Sequence, residues 1–160
     1  MRFVCLLITS ILFSSMGFGA DDPKAAIDAL KTRLLRGGQP NIAGKATVAG
    51  AERPDIAFGK VKIANNFDAV DEIKKKLGGT ATVFVKDGDE FIRISTNVQK
   101  DDGSRAIGTP LAHNKAYEAV SKGDSFCGEV EILGSPYNTC YEPIKADSKI
   151  IGLYYFGYKK

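Results

Sequence analysis

The chain has a single histidine, His113, among its 160 residues. Every Cys-His or Ser-His-Asp arrangement would have to be built on that one imidazole. No GxSxG, GxGxxG or P-loop sequence occurs, and the spacing of a calcium-binding loop is absent. Carboxylates do come in groups, at Asp87, Asp89 and Glu90 and at Asp101-Asp102, but they fall in turn sequences, where aspartate is a turn former. Together these absences argue against an enzyme, and no cofactor is expected. The formal net charge is +3, from mixed charges with no basic stripe interleaved with aromatics, which excludes nucleic acid as the expected partner. There is no internal repeat and no low-complexity linker. No apolar run beyond the N-terminus approaches the ~20 residues of a bilayer span. The longest rival, residues 150–158, is short, aromatic and followed by Lys159-Lys160, as a C-terminal strand would be.

What is present is globular composition, 44% hydrophobic and 26% charged, in a length suited to one domain. The first residues stand apart. Arg2 supplies a positive charge, residues 3–13 form an apolar run, and Gly17 and Gly19 supply the small-x-small pattern of a cleavage site. This predicts a secretory signal peptide over residues 1–19 and a mature domain over residues 20–160. The competing reading is an uncleaved anchor. Cys5 leaves with the peptide, and it lies too early for a lipoprotein site. The mature chain is then expected in the periplasm or secreted, with no transmembrane helix.

Export bears on the two remaining cysteines. Cys127 and Cys140 form an even pair in an oxidising compartment and flank the turn sequence at residues 133–136. On neighbouring antiparallel strands they would lie nearly opposite, within reach of a disulfide if the register allows. The alternative is two buried free thiols. No histidine or further cysteine nearby offers a metal site.

Asp22-Pro23 marks a helix start, and apolar residues at helical spacing carry that helix to Gly37-Gly38. Residues 39–60, broken by Pro40, Gly44, Gly50, Pro54 and Gly59, suggest only extended pieces and turns. A second helix follows Asn66 and ends at Gly78-Gly79. Residues 80–86 and 91–98 read as strands joined by the hairpin signal Asp87-Gly88. A short helix over residues 114–122 turns Tyr117 and Val120 inward. Three strands follow, over residues 126–133, 137–144 and 149–158. The order predicts an α+β fold: a five-stranded antiparallel sheet with an N-terminal helix and one long mid-chain connection, PAS-like in outline.

Within the strand FIRIST, simple alternation groups Phe91, Arg93 and Ser95 on one face and Ile92, Ile94 and Thr96 on the other. A guanidinium inside such a strand has three explanations. It can lie on a solvated sheet face, it can clamp an anion, or it can brace the connection 101–105 through an ion pair. A clamp would pair bidentately with a carboxylate. Tyr141, Tyr117 and Arg105 could complete it, although Tyr117 also fits ordinary core packing.

The run GGTATVF, the strand FIRISTN, the connection DGSRAIGT, the hairpin GEV and the closing YEPI occur in that order. They resemble the single-Cache type of extracellular sensor domain over roughly residues 54–158. The resemblance implies a long N-terminal helix, a PAS-like sheet and a small-ligand site taking short carboxylates or amino acids; the residues read above as its expected lining are Arg93, Ser95, Arg105, Tyr117 and Tyr141. Membrane-bound relatives continue into a second transmembrane helix and a signalling module. This chain resembles the free-standing exported versions, whose signal would pass to a partner such as a membrane sensor protein. Cys127 and Cys140 are not a feature of that family pattern. The expected function is small-ligand binding as a sensory module. The alternative is an exported interaction protein whose pocket is filled by its own side chains.

Overall fold

The structure is a computed structural model, and it describes residues 22–160. The expected signal peptide and Cys5 lie outside the described residues. Helix α1 (Pro23–Leu35) starts as its sequence dictates: Asp22 accepts the Lys24 N–H at 2.9 Å, and Pro23 occupies the first turn, where no N–H is needed. Its buried stripe is Ala26, Ile27, Leu30 and Leu34. Helix α2 (Asp68–Leu77) has no side-chain cap from its N-cap residue Phe67, but Asn66 one position earlier accepts the Asp68 N–H at 3.1 Å. Among the described residues no helix is long and apolar enough to cross a membrane.

Residues 39–60 are more regular than their glycines and prolines suggested. They form a long hairpin, β1 (Pro40–Val48) and β2 (Ala51–Phe58), which a short β3 (Val61–Lys62) extends into a three-stranded sheet. Gly44 sits at a break in register between Ile42 and Lys45, so the glycine that looked like a breaker accommodates a bulge. Ile56 and Phe58 carry this hairpin into the main core.

The five-stranded antiparallel sheet is as expected. It contains β4 (Thr80–Asp87), β5 (Glu90–Thr96), β6 (Phe126–Ile132), β7 (Ser135–Ala146) and β8 (Lys149–Lys159), ordered β5-β4-β8-β7-β6. One face packs on α1, α2 and the β1–β2 hairpin, burying Ala81, Val83, Val85, Ile92, Ile94, Tyr154 and Phe156. The other face is covered by the connection after β5 and by α3 (Lys115–Ser121), and it buries Phe84, Phe91, Leu111, Tyr141, Leu153 and Tyr155. The connection holds to β5 through backbone bonds: Arg93 N–H to the Thr109 carbonyl, Gly108 N–H to the Arg93 carbonyl, and Leu111 N–H to the Phe91 carbonyl.

Cys127 and Cys140 form a disulfide. They are direct cross-strand partners of β6 and β7, with Cα atoms 4.1 Å apart. Leu133 and Gly134 alone join the two strands, both with positive φ (48° and 78°), the two-residue geometry whose twist suits a hairpin. Leucine in that conformation is unusual, and its side chain stays 48% exposed.

Candidate functional site

Strand β5 does not alternate simply. Val83 pairs with Ser95 and Phe84 with Arg93, so Ile94 is an extra residue on β5. Cross-strand partners share a face. The bulge therefore keeps Arg93 with Phe84 on the connection side and turns Ser95 to the helix side with Val83. The expected grouping of Ser95 with Arg93 is thus corrected. Ser95 is buried among Leu34, Phe58 and Ala69, and its hydroxyl donates to the Asn66 carbonyl at 2.5 Å. Thr96 moves the opposite way. It was expected beside Ile94, yet its hydroxyl meets that of Thr82 at 2.6 Å across the strand pair. The next residue, Asn97, is buried on the helix side. It accepts the Ala81 N–H at 2.7 Å and donates to the Val70 carbonyl at 2.7 Å, joining β4 to α2.

Arg93 is only 5% exposed. Its Nη1 donates to Thr109 Oγ1 at 2.9 Å and to the Pro110 carbonyl at 3.0 Å, and its guanidinium carbon lies 4.9 Å from the centre of the Phe84 ring. No carboxylate pairs with it among the described residues, so the expected ion-pair brace to residues 101–105 does not form. Its Nε is buried without a hydrogen-bond partner, and Nη2 has none among the described residues. These two nitrogens form the side-on fork that accepts a carboxylate bidentately. Burial lowers the arginine pKa, while the neighbouring Tyr141 and Tyr155 act the other way.

Arg93 lines a cavity of about 60 Å³ with Leu111, Asn114, Glu131, Ile132, Leu133 and Tyr141 among others. Tyr141 is 1% exposed, and its hydroxyl has no hydrogen-bond partner among the described residues. Burial pushes its pKa up, so the phenol stays a neutral donor at ordinary pH. The cavity thus combines a guanidinium, a neutral hydroxyl, the Asn114 amide and the Glu131 carboxylate with apolar walls from Leu111, Ile132 and Leu133.

The other expected residues are placed elsewhere. Arg105 is committed to α2: Nη1 and Nη2 bind the two oxygens of Asp71 at 2.8 and 2.7 Å, Nη1 also reaches the Thr96 carbonyl at 2.9 Å, and Phe67 lies under the guanidinium at 4.3 Å. Tyr117 is half-buried, stacks on His113 at 4.0 Å and donates to the Asp89 carbonyl at 2.6 Å, fastening α3 to the β4–β5 turn. Of the five expected lining residues, the structure brings Arg93 and Tyr141 to one cavity and disperses Ser95, Arg105 and Tyr117. Sequence reasoning missed Leu111, Asn114, Ile132 and Leu133. Leu133, an exposed leucine forced into a glycine-like turn conformation, is the one among them with a usable local signal.

The structure also shows an anchor for α1 that alternation alone does not predict. Glu142 on β7 is 8% exposed and receives Lys24 at 2.8 Å and Lys31 of α1. Burial opposes its ionisation, but the two lysines prevail and hold its pKa below the usual carboxylate range. Among the described residues no cluster of His, Cys, Asp and Glu could hold a metal ion.

Comparison with known proteins gives one result. A family model described as the Cache 3/Cache 2 fusion domain matches residues 24–160. No curated protein matches the chain, and no solved structure does.

Proposed function

The chain belongs to the Cache 3/Cache 2 fusion domain family of extracellular sensor domains, and on that premise we propose that it binds a short carboxylate at Arg93 as the recognition step of a sensory module. The observation that carries this reading is a buried arginine on the wall of a cavity, with no carboxylate partner among the described residues. A buried charge without a partner is costly. Burying it in a small polar-mouthed cavity makes sense where an anion completes it. A volume of about 60 Å³ corresponds to a few water molecules at most, so the fitting ligands are carboxylates of two or three carbons, acetate-like or a small amino acid. Leu111 and Ile132 would cover the alkyl end, and Tyr141 would donate to the second carboxylate lone pair.

A charge-assisted hydrogen bond contributes about 1.5–3 kcal/mol. Arg93→Ala should therefore weaken acetate, propionate or alanine binding at least tenfold in isothermal titration. Arg93→Lys should fail as well, because an ammonium lacks the two-donor plane. Tyr141→Phe removes only a hydroxyl and should weaken binding severalfold while leaving the unliganded melting temperature unchanged.

A second reading is favoured by the bonds of Nη1 to Thr109 and Pro110: Arg93 as a brace for the connection in an interaction protein with a self-filled pocket. That reading requires Arg93→Ala to lower the unliganded melting temperature by several degrees, with none of these carboxylates stabilising the wild type. By contrast, a ligand at one hundred times its Kd should stabilise by about 2.7 kcal/mol.

The same proposal places the protein outside the cytoplasmic membrane, exported by residues 1–19 and passing its signal to a membrane sensor partner. Intact mass of protein from its native host should correspond to a chain beginning at residue 20. Full-length chain in the membrane fraction would overturn the export step.

A further inference from the structure

A larger polar cleft, of about 290 Å³, lies at the end of the sheet where β4 and β7 begin and β8 ends. It shares Ile132 and Leu133 with the Arg93 cavity but does not contain Arg93. Three lysines from three separate parts of the chain meet around it: Lys74 of α2, Lys100 at the start of the connection and Lys159 at the end of β8. None of them forms an ion pair among the described residues, although Lys100 contributes to the field at Asp102. One carboxylate, Asp101, also lines the cleft, leaving a local balance of three cations to one anion.

A group of lysines can be an ordinary solvated surface. Here a second observation points inward. Tyr137 is 9% exposed and lines the cleft, yet its hydroxyl has no hydrogen-bond partner among the described residues. The register sets Lys159 directly opposite Tyr137 on the neighbouring strand, so the two side chains leave the same face of the sheet. The ring is buried while the hydroxyl opens onto the cleft. A phenol donor kept free beside an unpaired ammonium is suited to an oxygen of a bound anion. The cleft approaches the ~300 Å³ at which small-molecule sites begin, several times what a two-carbon acid needs.

We propose that this cleft is a second site, for a small oxyanion carrying two or more charges, a phosphate compound or a polycarboxylate, held by Lys74, Lys100 and Lys159 and oriented by the Tyr137 hydroxyl. The site stands independently of carboxylate binding at Arg93. Because Ile132 and Leu133 line both spaces, an occupant here also touches the hairpin tip that walls the smaller cavity.

The test is isothermal titration of the whole chain with pyrophosphate and with citrate, in low salt and at 150 mM. Pyrophosphate and citrate are the two arms that separate phosphate from polycarboxylate chemistry. At least one should bind, more weakly at the higher salt because exposed charges are screened. The triple variant Lys74→Gln, Lys100→Gln, Lys159→Gln should lose at least tenfold in affinity. Tyr137→Phe should lose severalfold at either salt, and Asp101→Asn should bind more tightly. Arg93→Ala should stay within twofold, which separates this site from the carboxylate cavity. The proposal is overturned if neither polyanion binds at millimolar concentration, if the triple variant binds as the wild type does, if Asp101→Asn weakens binding, or if Arg93→Ala abolishes it.

Discussion

Glu142, on the sheet face covered by α1, meets two lysines; Arg93, on the face covered by the connection and α3, meets one hydroxyl and one carbonyl. The two faces bury similar apolar clusters and differ in how their central charged group is held: Glu142 is paired with lysines, and Arg93 has no carboxylate. On the helix side, Asn97 uses both ends of its amide, Ser95 has its carbonyl, and Arg33 reaches Glu72 at 2.5 Å. On the connection side, half of the Arg93 guanidinium and the hydroxyls of Tyr141 and Tyr137 have no partner among the described residues. Glu142 fastens α1 to the helix face, Arg93 lines a cavity on the connection face, and the lysine cleft lies at the end of the sheet, where Lys74 of α2 reaches it.

The comparison can be broken most sharply at the disulfide. Cys140 belongs to the helix-side core, so reduction should cost stability without costing ligand. Closing a loop of 13 residues constrains the unfolded chain by about 3 kcal/mol. Reduction and alkylation should therefore lower the melting temperature by roughly 10 °C. Acetate affinity should remain within twofold. A tenfold loss of affinity on reduction would show that the hairpin couples the two faces and that the division between them is wrong.

A smaller effect is expected from acid. The folded state holds the Glu142 pKa below its ordinary value, so the unfolded chain binds its proton first as pH falls. The contribution is complete above the unfolded value of ~4.3 and fades as pH drops through the lower, folded value. Because Lys24 is 53% exposed and Lys31 30%, about 1.5 kcal/mol is expected rather than the larger cost of breaking a fully buried pair. Glu142→Gln should lose this at pH 7 in urea unfolding and should show a shallower decline than the wild type below pH 4. Parallel acid profiles of the two proteins would remove Glu142 from the scaffold.

Much of this arrangement was legible in the sequence where the cause is local. Asp22-Pro23 caps α1 because the chemistry lies within three residues. Asp87-Gly88 and the β-branched runs beside it define β4 and β5 for the same reason, and the placement of Cys127 and Cys140 on either side of the turn sequence at residues 133–136 made the disulfide readable. The misplaced residues depend on distant partners. A single extra residue at Ile94 reverses the faces of Ser95 and Thr96, and nothing in FIRIST marks it, because the irregularity exists only against Val83-Phe84. Arg105 was expected near Arg93 because both are arginines in one segment, but Asp71, 34 residues away, claims it. Glu142 gives no local sign of its lysines, which lie more than one hundred residues earlier.

The covering of β5 by residues 108–111 has a further consequence. The connection occupies the hydrogen-bonding edge that β5 would otherwise offer, leaving β6 as the terminal strand of the five-stranded sheet on the other side. That remaining border carries Glu129 and Glu131, both exposed. An incoming strand from a second molecule would meet Glu131 and a Glu129 already paired with Lys160, and charged residues on an edge discourage such pairing. The five-stranded sheet thus offers a free margin at β6 and a covered one at β5.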